Sequence, residues 1–136
     1  MSEKFFSEGW LKLAHEGERA VTDQSYALMR DPETFTHVMA FEVTDRPGVA
    51  SYIEFVNGRS VAWTTTPYAE EDVWGRFTGP LEAWRMCAEG KASASTQIMS
   101  GKIKIAKGDL MESFAQAPAL DLLVRLFGDV DTDWDV

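Results

Sequence analysis

FTHVMAFEVTDRPGVASYIEFVNGRSVAW, residues Phe35–Trp63, is the stretch that decides the fold. Its side chains alternate with a period of two. Phe35, His37, Met39, Phe41 and Val43 share one face, and Thr36, Val38, Ala40 and Glu42 share the other. Asp45-Arg46-Pro47-Gly48 reads as a turn. A second strand then places Val49, Ser51, Ile53 and Phe55 on one face, with Tyr52 and Glu54 opposite. Asn57-Gly58 is the strongest hairpin signal in the chain. A two-residue turn there would pair Val56 with Arg59 and Glu54 with Val61, which mixes the faces. The pattern therefore predicts a bulged three-residue loop pairing Phe55 with Arg59, Ile53 with Val61 and Ser51 with Trp63.

Helical signals flank this sheet region. Phe6, Trp10, Leu13 and Ala14 recur at helical spacing, which predicts a helix over Glu3–Arg19. A short helix capped by Thr22 or Asp23 follows and stops at Asp31-Pro32. After the hairpin, DVWGRFT reads as a fourth strand, antiparallel to the third. Gly79-Pro80-Leu81-Glu82 starts a helix with Leu81, Trp84, Cys87 and Ala88 as its apolar stripe. IMSGKIKIAKGD, residues Ile98–Asp109, is a fifth strand, with Gly101, Ile103 and Ile105 facing one way and Lys102 and Lys104 the other. Asp109 and Glu112 form a capping box for a helix with Leu110, Met111, Phe114 and Ala115 inside. A last helix from Pro118 carries Ala119, Leu122, Leu123, Leu126 and Phe127. The sum is an α+β chain: one five-stranded, mostly antiparallel sheet with helices over one face.

The chain has 136 residues, 45% of them hydrophobic and 26% charged, which suits a single folded domain spanning residues 1–136. Its one cysteine, Cys87, allows no intrachain disulfide. The formal net charge of −9 disfavours nucleic acid and anionic lipid surfaces as nonspecific partners. The N-terminal residues lack the apolar run of a signal peptide, and no stretch approaches a membrane span. These features lead to the expectation of a cytoplasmic protein without stable membrane anchoring.

Catalytic chemistry finds little support in the residues. His15 and His37 are the only histidines and stand at no metal-ligand spacing, so no metal or cofactor is expected. His37, on an apolar strand face, reads as a core histidine, and Cys87, on an apolar helix stripe, as an inert thiol. Glu42 and Glu54 read as surface carboxylates. Lys102 and Lys104 read as edge-protecting residues, with a headgroup-binding role as the sharper alternative. The inner face is rich in aromatic and methionine side chains, which suits either a packed core or an adaptable apolar pocket.

The segment FTGPLEAWRMCAEGKASASTQIMSGKIKIAKGDL, with IEFVNGRSVAW before it, resembles the sterol carrier protein domain, the nonspecific lipid-transfer family, in its stand-alone bacterial form. The resemblance spans about Phe35 to Phe127 and is best over Thr78–Leu110. It implies an apolar tunnel for a fatty acid, acyl-CoA or sterol-like ligand. Carried onto this chain, the tunnel lies between a sheet face of Trp63, Phe77, Ile103 and Ile105 and helices holding Trp84, Phe114, Leu123 and Phe127, with Met99 in the same lining. The expected function is binding, and possible carriage, of that ligand without catalysis. Two alternatives remain open: a module that dimerises or supports an enzyme, and a small isomerase or cyclase with a cone-like cavity.

Overall fold

The computed structural model describes residues 2–136. Seven strands and six α-helices follow the order β1 (Glu3–Lys4), α1 (Glu8–Ala20), α2 (Thr22–Leu28), β2 (Val38–Val43), β3 (Ala50–Val56), β4 (Arg59–Thr64), β5 (Val73–Gly79), α3 (Leu81–Ala88), α4 (Ala94–Met99), β6 (Lys104–Lys107), α5 (Leu110–Ala115), α6 (Ala117–Arg125) and β7 (Thr132–Asp133). The main sheet has five strands in the order β4-β3-β2-β5-β6, and β1 pairs with β7 as a separate parallel ribbon. The α+β architecture and the five-stranded, mostly antiparallel sheet are as the alternation predicts.

The strand order differs from a simple meander. β5 lies against β2, in parallel, and not against β4. The connection over residues 65–72 therefore crosses the back of the sheet. Tyr68 on this connection packs near Tyr52, their rings 6.0 Å apart, and its hydroxyl donates to Glu54 Oε1 at 2.9 Å. Val38, Ala40, Tyr52 and Val73 form a small apolar cluster beneath it. β6 closes the other edge antiparallel to β5.

The hairpin corrects the predicted register. Val56 pairs with Arg59 across a two-residue turn, with Asn57 and Gly58 both left-handed at φ 49° and 81°. The conflict between faces is relieved deeper in the strand. A bulge at Val61 lets Ile53 pair with Trp63 and leaves Val61 exposed. Gly58 is required twice over, since a Cβ there would also lie 2.8 Å from Pro32 Cβ. A second bulge separates Val38↔Val73 from Met39↔Gly75. It leaves Val73 on the back face and sends Trp74 toward the helical side.

The N-terminus also departs from expectation. The helix begins at Glu8, capped by Ser7, whose Oγ accepts from Trp10 N–H. Residues 3–4 are instead drawn into the ribbon with β7, and Phe6 is left-handed at φ 61°. The buried stripe of α1 is Trp10, Leu11, Ala14 and Glu18, while Leu13 points outward. Phe5, Phe6, Trp10, Phe41, Trp84 and Phe127 meet as one aromatic core. Phe127 is its hub, with ring centroids at 5.1 Å from Trp10, 5.7 Å from Phe6 and 6.3 Å from Phe41.

Candidate functional site

One run of free space lies beside this aromatic core. An open cleft of about 400 Å³ is lined by Arg30, Asp31, Thr34, Phe35, His37, Trp74, Met111, Glu112, Ala115 and Gln116. Gln116 also lines an interior void with Ser25, Met29, Met39, Phe55, Ala119, Leu120 and Leu123. Leu120 in turn lines a third void with Ser95, Ile98, Ile105, Ser113, Phe114 and Ala117. The three lie side by side, sharing Gln116 and Leu120 as walls, in a lane with a polar mouth and an apolar interior between the helical face of the sheet and α2, α4, α5 and α6. As it stands the lane is closed: the second void has only about 10 Å³ of room and the third none.

Local structure sets the cleft. The bulge in β5 turns Trp74 onto the helical side, where its ring stacks on His37 at 5.4 Å and 24°. Phe35 meets both rings edge-on, at 4.9 Å and 5.2 Å. Desolvation lowers the His37 pKa from its ordinary value of 6.5, and the nearby Glu112 carboxylate partly opposes that shift. Gln116 closes the inner end. Its Oε1 accepts from Arg30 N–H at 2.9 Å and its Nε2 donates to Arg30 C=O at 2.8 Å. The Ser113 hydroxyl is buried among apolar neighbours in the third void and has no hydrogen-bond partner.

The residues expected to line a tunnel divide into three groups. Ile105 and Phe114 line the third void and Leu123 the second. Phe77, Trp84 and Ile103 are each at most 1% exposed and border no cleft, nor does Trp63 at 9%; Phe127, fully buried, borders only a separate surface cleft of about 460 Å³ shared with Ala88, Gly128 and Trp134. Tight aromatic packing fills the volume where those five residues point. Met99 is 77% exposed and lies outside the lane. On α5, Leu110 and Met111 are outward at 55% and 77% exposure, contrary to their expected place inside. Sequence reasoning missed Met29, Phe55, Trp74, Glu112, Gln116 and Leu120 as lining. Met39 and His37 carried a readable signal, since both lie on the inward face of the first strand.

Other polar groups look less like a site. Among the described residues no three His, Cys, Asp or Glu side chains could together hold a metal ion. Glu18 is buried, its Oε2 accepting from Ser60 Oγ at 2.7 Å, but it lines none of the clefts described. Burial and the Asp121 charge push the Cys87 thiol up to about 11, which leaves it protonated and unreactive at neutral pH. A larger surface cleft of about 580 Å³ lies between the end of α3, the start of α4 and α6. It shares no residue with the lane, and its Asp121 carboxylate is already used by Ser95 N–H and Oγ.

Fold and lane together define a class: a small α+β domain whose helices cover an apolar strip of one sheet face. The model of the SCP-2 sterol transfer family matches residues 19–117, and the chain belongs to that family. A solved structure described as sterol carrier protein 2 superposes with a TM-score of 0.74 at 19% identity, covering 93% of this chain and 99% of its own. A Thermus thermophilus protein described as possibly a sterol carrier protein gives 0.72 at 18% identity, with 98% and 94% covered. Apo sterol carrier protein 2 from Yarrowia lipolytica gives 0.58 at 17%, with 95% and 97% covered. At these identities the likeness is one of fold. No curated protein matches the chain in sequence.

Proposed function

We propose that this chain binds, and carries, an apolar lipid-like ligand, and that it performs no chemistry on it. The observation that supports this most is the adjacency of cleft and voids, which share Gln116 and Leu120 as walls and are otherwise bordered by Met29, Met39, Phe55, Ile105, Phe114 and Leu123. Flexible methionine and aromatic walls suit ligands of variable shape. The ligand's chain enters beside His37 and Trp74, displaces the Gln116 bridge and spreads between α5–α6 and the sheet, opening the space that is closed in the free form. The ligands named by the family resemblance, a fatty acid, an acyl-CoA or a sterol, share the long apolar body this lane requires. A cytoplasmic place fits the composition, and no helix is long and apolar enough to cross a membrane.

An accessory or dimerising role gains nothing from the tryptophans that could have formed its contact patch. Trp10 is fully buried, its Nε1 donating to Thr132 Oγ1 at 2.9 Å, and Trp134 packs on Phe5 at 4.7 Å. The test is native mass spectrometry of the purified protein followed by solvent extraction. A retained apolar molecule at one per chain is expected. A protein that arrives empty, and that then fails to quench or enhance any lipid-analogue fluorophore, defeats the proposal.

A further inference from the structure

Helix α5 and the residue after it border every part of the lane. Met111, Glu112 and Ala115 line the mouth, Ser113 and Phe114 line the third void, and Gln116 lines both the mouth and the second void. Little packing holds this helix down. Ser113 is the one buried residue among its six, and the Ser113 hydroxyl has no hydrogen-bond partner. Leu110 and Met111 face water. Both ends of α5 are breaks in the helical path. Gly108, left-handed at φ 115°, precedes its cap, and Gln116, at φ −96° and ψ 7°, separates it from α6. Against this weak packing stands one specific tie. The Gln116 side chain, 7% exposed, spans the backbone N–H and C=O of Arg30, on the segment that follows α2.

We infer that α5 is a lid on the lane and that the clasp of Gln116 on Arg30 is its latch. A carboxamide suits that task. It offers a donor and an acceptor side by side, so it matches both backbone groups of one residue, and its release strands no charge in apolar surroundings. The strength is also right. Each neutral hydrogen bond is worth, net, about as much as burying one or two methylenes, so burial of a long apolar chain outweighs the pair. Swinging α5 outward takes a wall from the mouth and from the third void together, and it withdraws Gln116 from the second. The inference rests on the carrier reading and adds what controls access to its site.

Hydrogen exchange and binding kinetics test it together. In the ligand-free protein the amides of Arg30, Ser113 and Gln116 should exchange as one cooperative unit. Gln116→Leu keeps the bulk of the side chain and removes both bonds. It should speed exchange of the α5 amides about tenfold, the ordinary scale of one or two neutral hydrogen bonds. The Trp84 amide in α3 should be unaffected, whereas a merely global destabilisation would speed both. The same variant should raise the association rate of diphenylhexatriene, an uncharged fluorophore, by a similar factor. Its dissociation rate should change less than about twofold, because the bound protein has already given up the clasp. Gln116→Glu keeps the acceptor for Arg30 N–H and loses the donor to its C=O, so it should fall between, and it serves if Gln116→Leu does not fold. Unaltered α5 exchange, unaltered association, or faster dissociation as the main effect overturns the lid and leaves the carrier reading standing. Failure of the fluorophore to bind the unaltered protein and both variants overturns both.

Discussion

Single residues in the lane trade stability for an unfilled contact. The Ser113 hydroxyl is buried without a partner, which costs a folded protein about 1–3 kcal/mol relative to a bonded hydroxyl. Ser113→Ala should therefore raise the stability of the ligand-free protein by about 0.5–1 kcal/mol, seen as a higher midpoint in urea. A lower midpoint would mean that the hydroxyl already has a partner. His37 behaves differently because it titrates. Its folded pKa lies below 6.5, so between that pKa and 6.5 the unfolded chain binds the proton more readily. The contribution is fully present above pH 6.5 and is lost as pH falls through the folded pKa. His37→Phe should accordingly flatten the decline of the urea midpoint between pH 7 and pH 5; an unchanged slope would refute the assignment. The sequence marked His37 as an oddity on an apolar face. It could not mark Trp74, whose direction depends on a bulge made against β2.

At the scale of elements, α5 is the weak point. It is one and a half turns long, capped by Asp109, whose Oδ1 accepts from Glu112 N–H at 2.9 Å. Voids lie on two of its sides, and two of its apolar residues face water. Short helices take nearly all their stability from packing, and α5 has little. Its amides should exchange with solvent through local opening at a lower free energy than those of α3, whose Leu81, Trp84 and Cys87 are buried. Equal protection of α5 and α3 would remove α5 as the element that yields to a ligand. The hairpin shows the opposite economy. Gly58→Ala asks a left-handed position to take a Cβ that also meets Pro32, and should cost more than about 1 kcal/mol in thermal unfolding. Asn57-Gly58 was legible as a turn; its length was not, because the bulge that reconciles the two faces lies at Val61, beyond the turn itself.

For the whole molecule, the division between solid core and open lane matters most. Phe127 touches aromatic rings from the N-terminus, α1 and the sheet at once. Phe127→Ala should cost about 3–5 kcal/mol, enough to remove much of the stability of a domain this size. If a ligand occupied that volume instead, the same change would mainly enlarge the site and cost little. Composition counted aromatic and methionine side chains but could not say which of them pack on one another and which border space.

What the sequence by itself determined is the five strands of the main sheet and the helices that flank them, the inward faces of β2 and β3, the stripe of α3 and the α+β class. Those follow from local spacing, because a period of two or of 3.6 is written into neighbouring residues. Only the tertiary structure decided that β5 runs parallel beside β2, that bulges fall at Trp74 and Val61, and that Gln116 and Leu120 border free space while Phe77 and Trp84 are packed solid. Strand order and residual volume depend on how distant side chains fill space together, and no single stretch of the chain contains that sum.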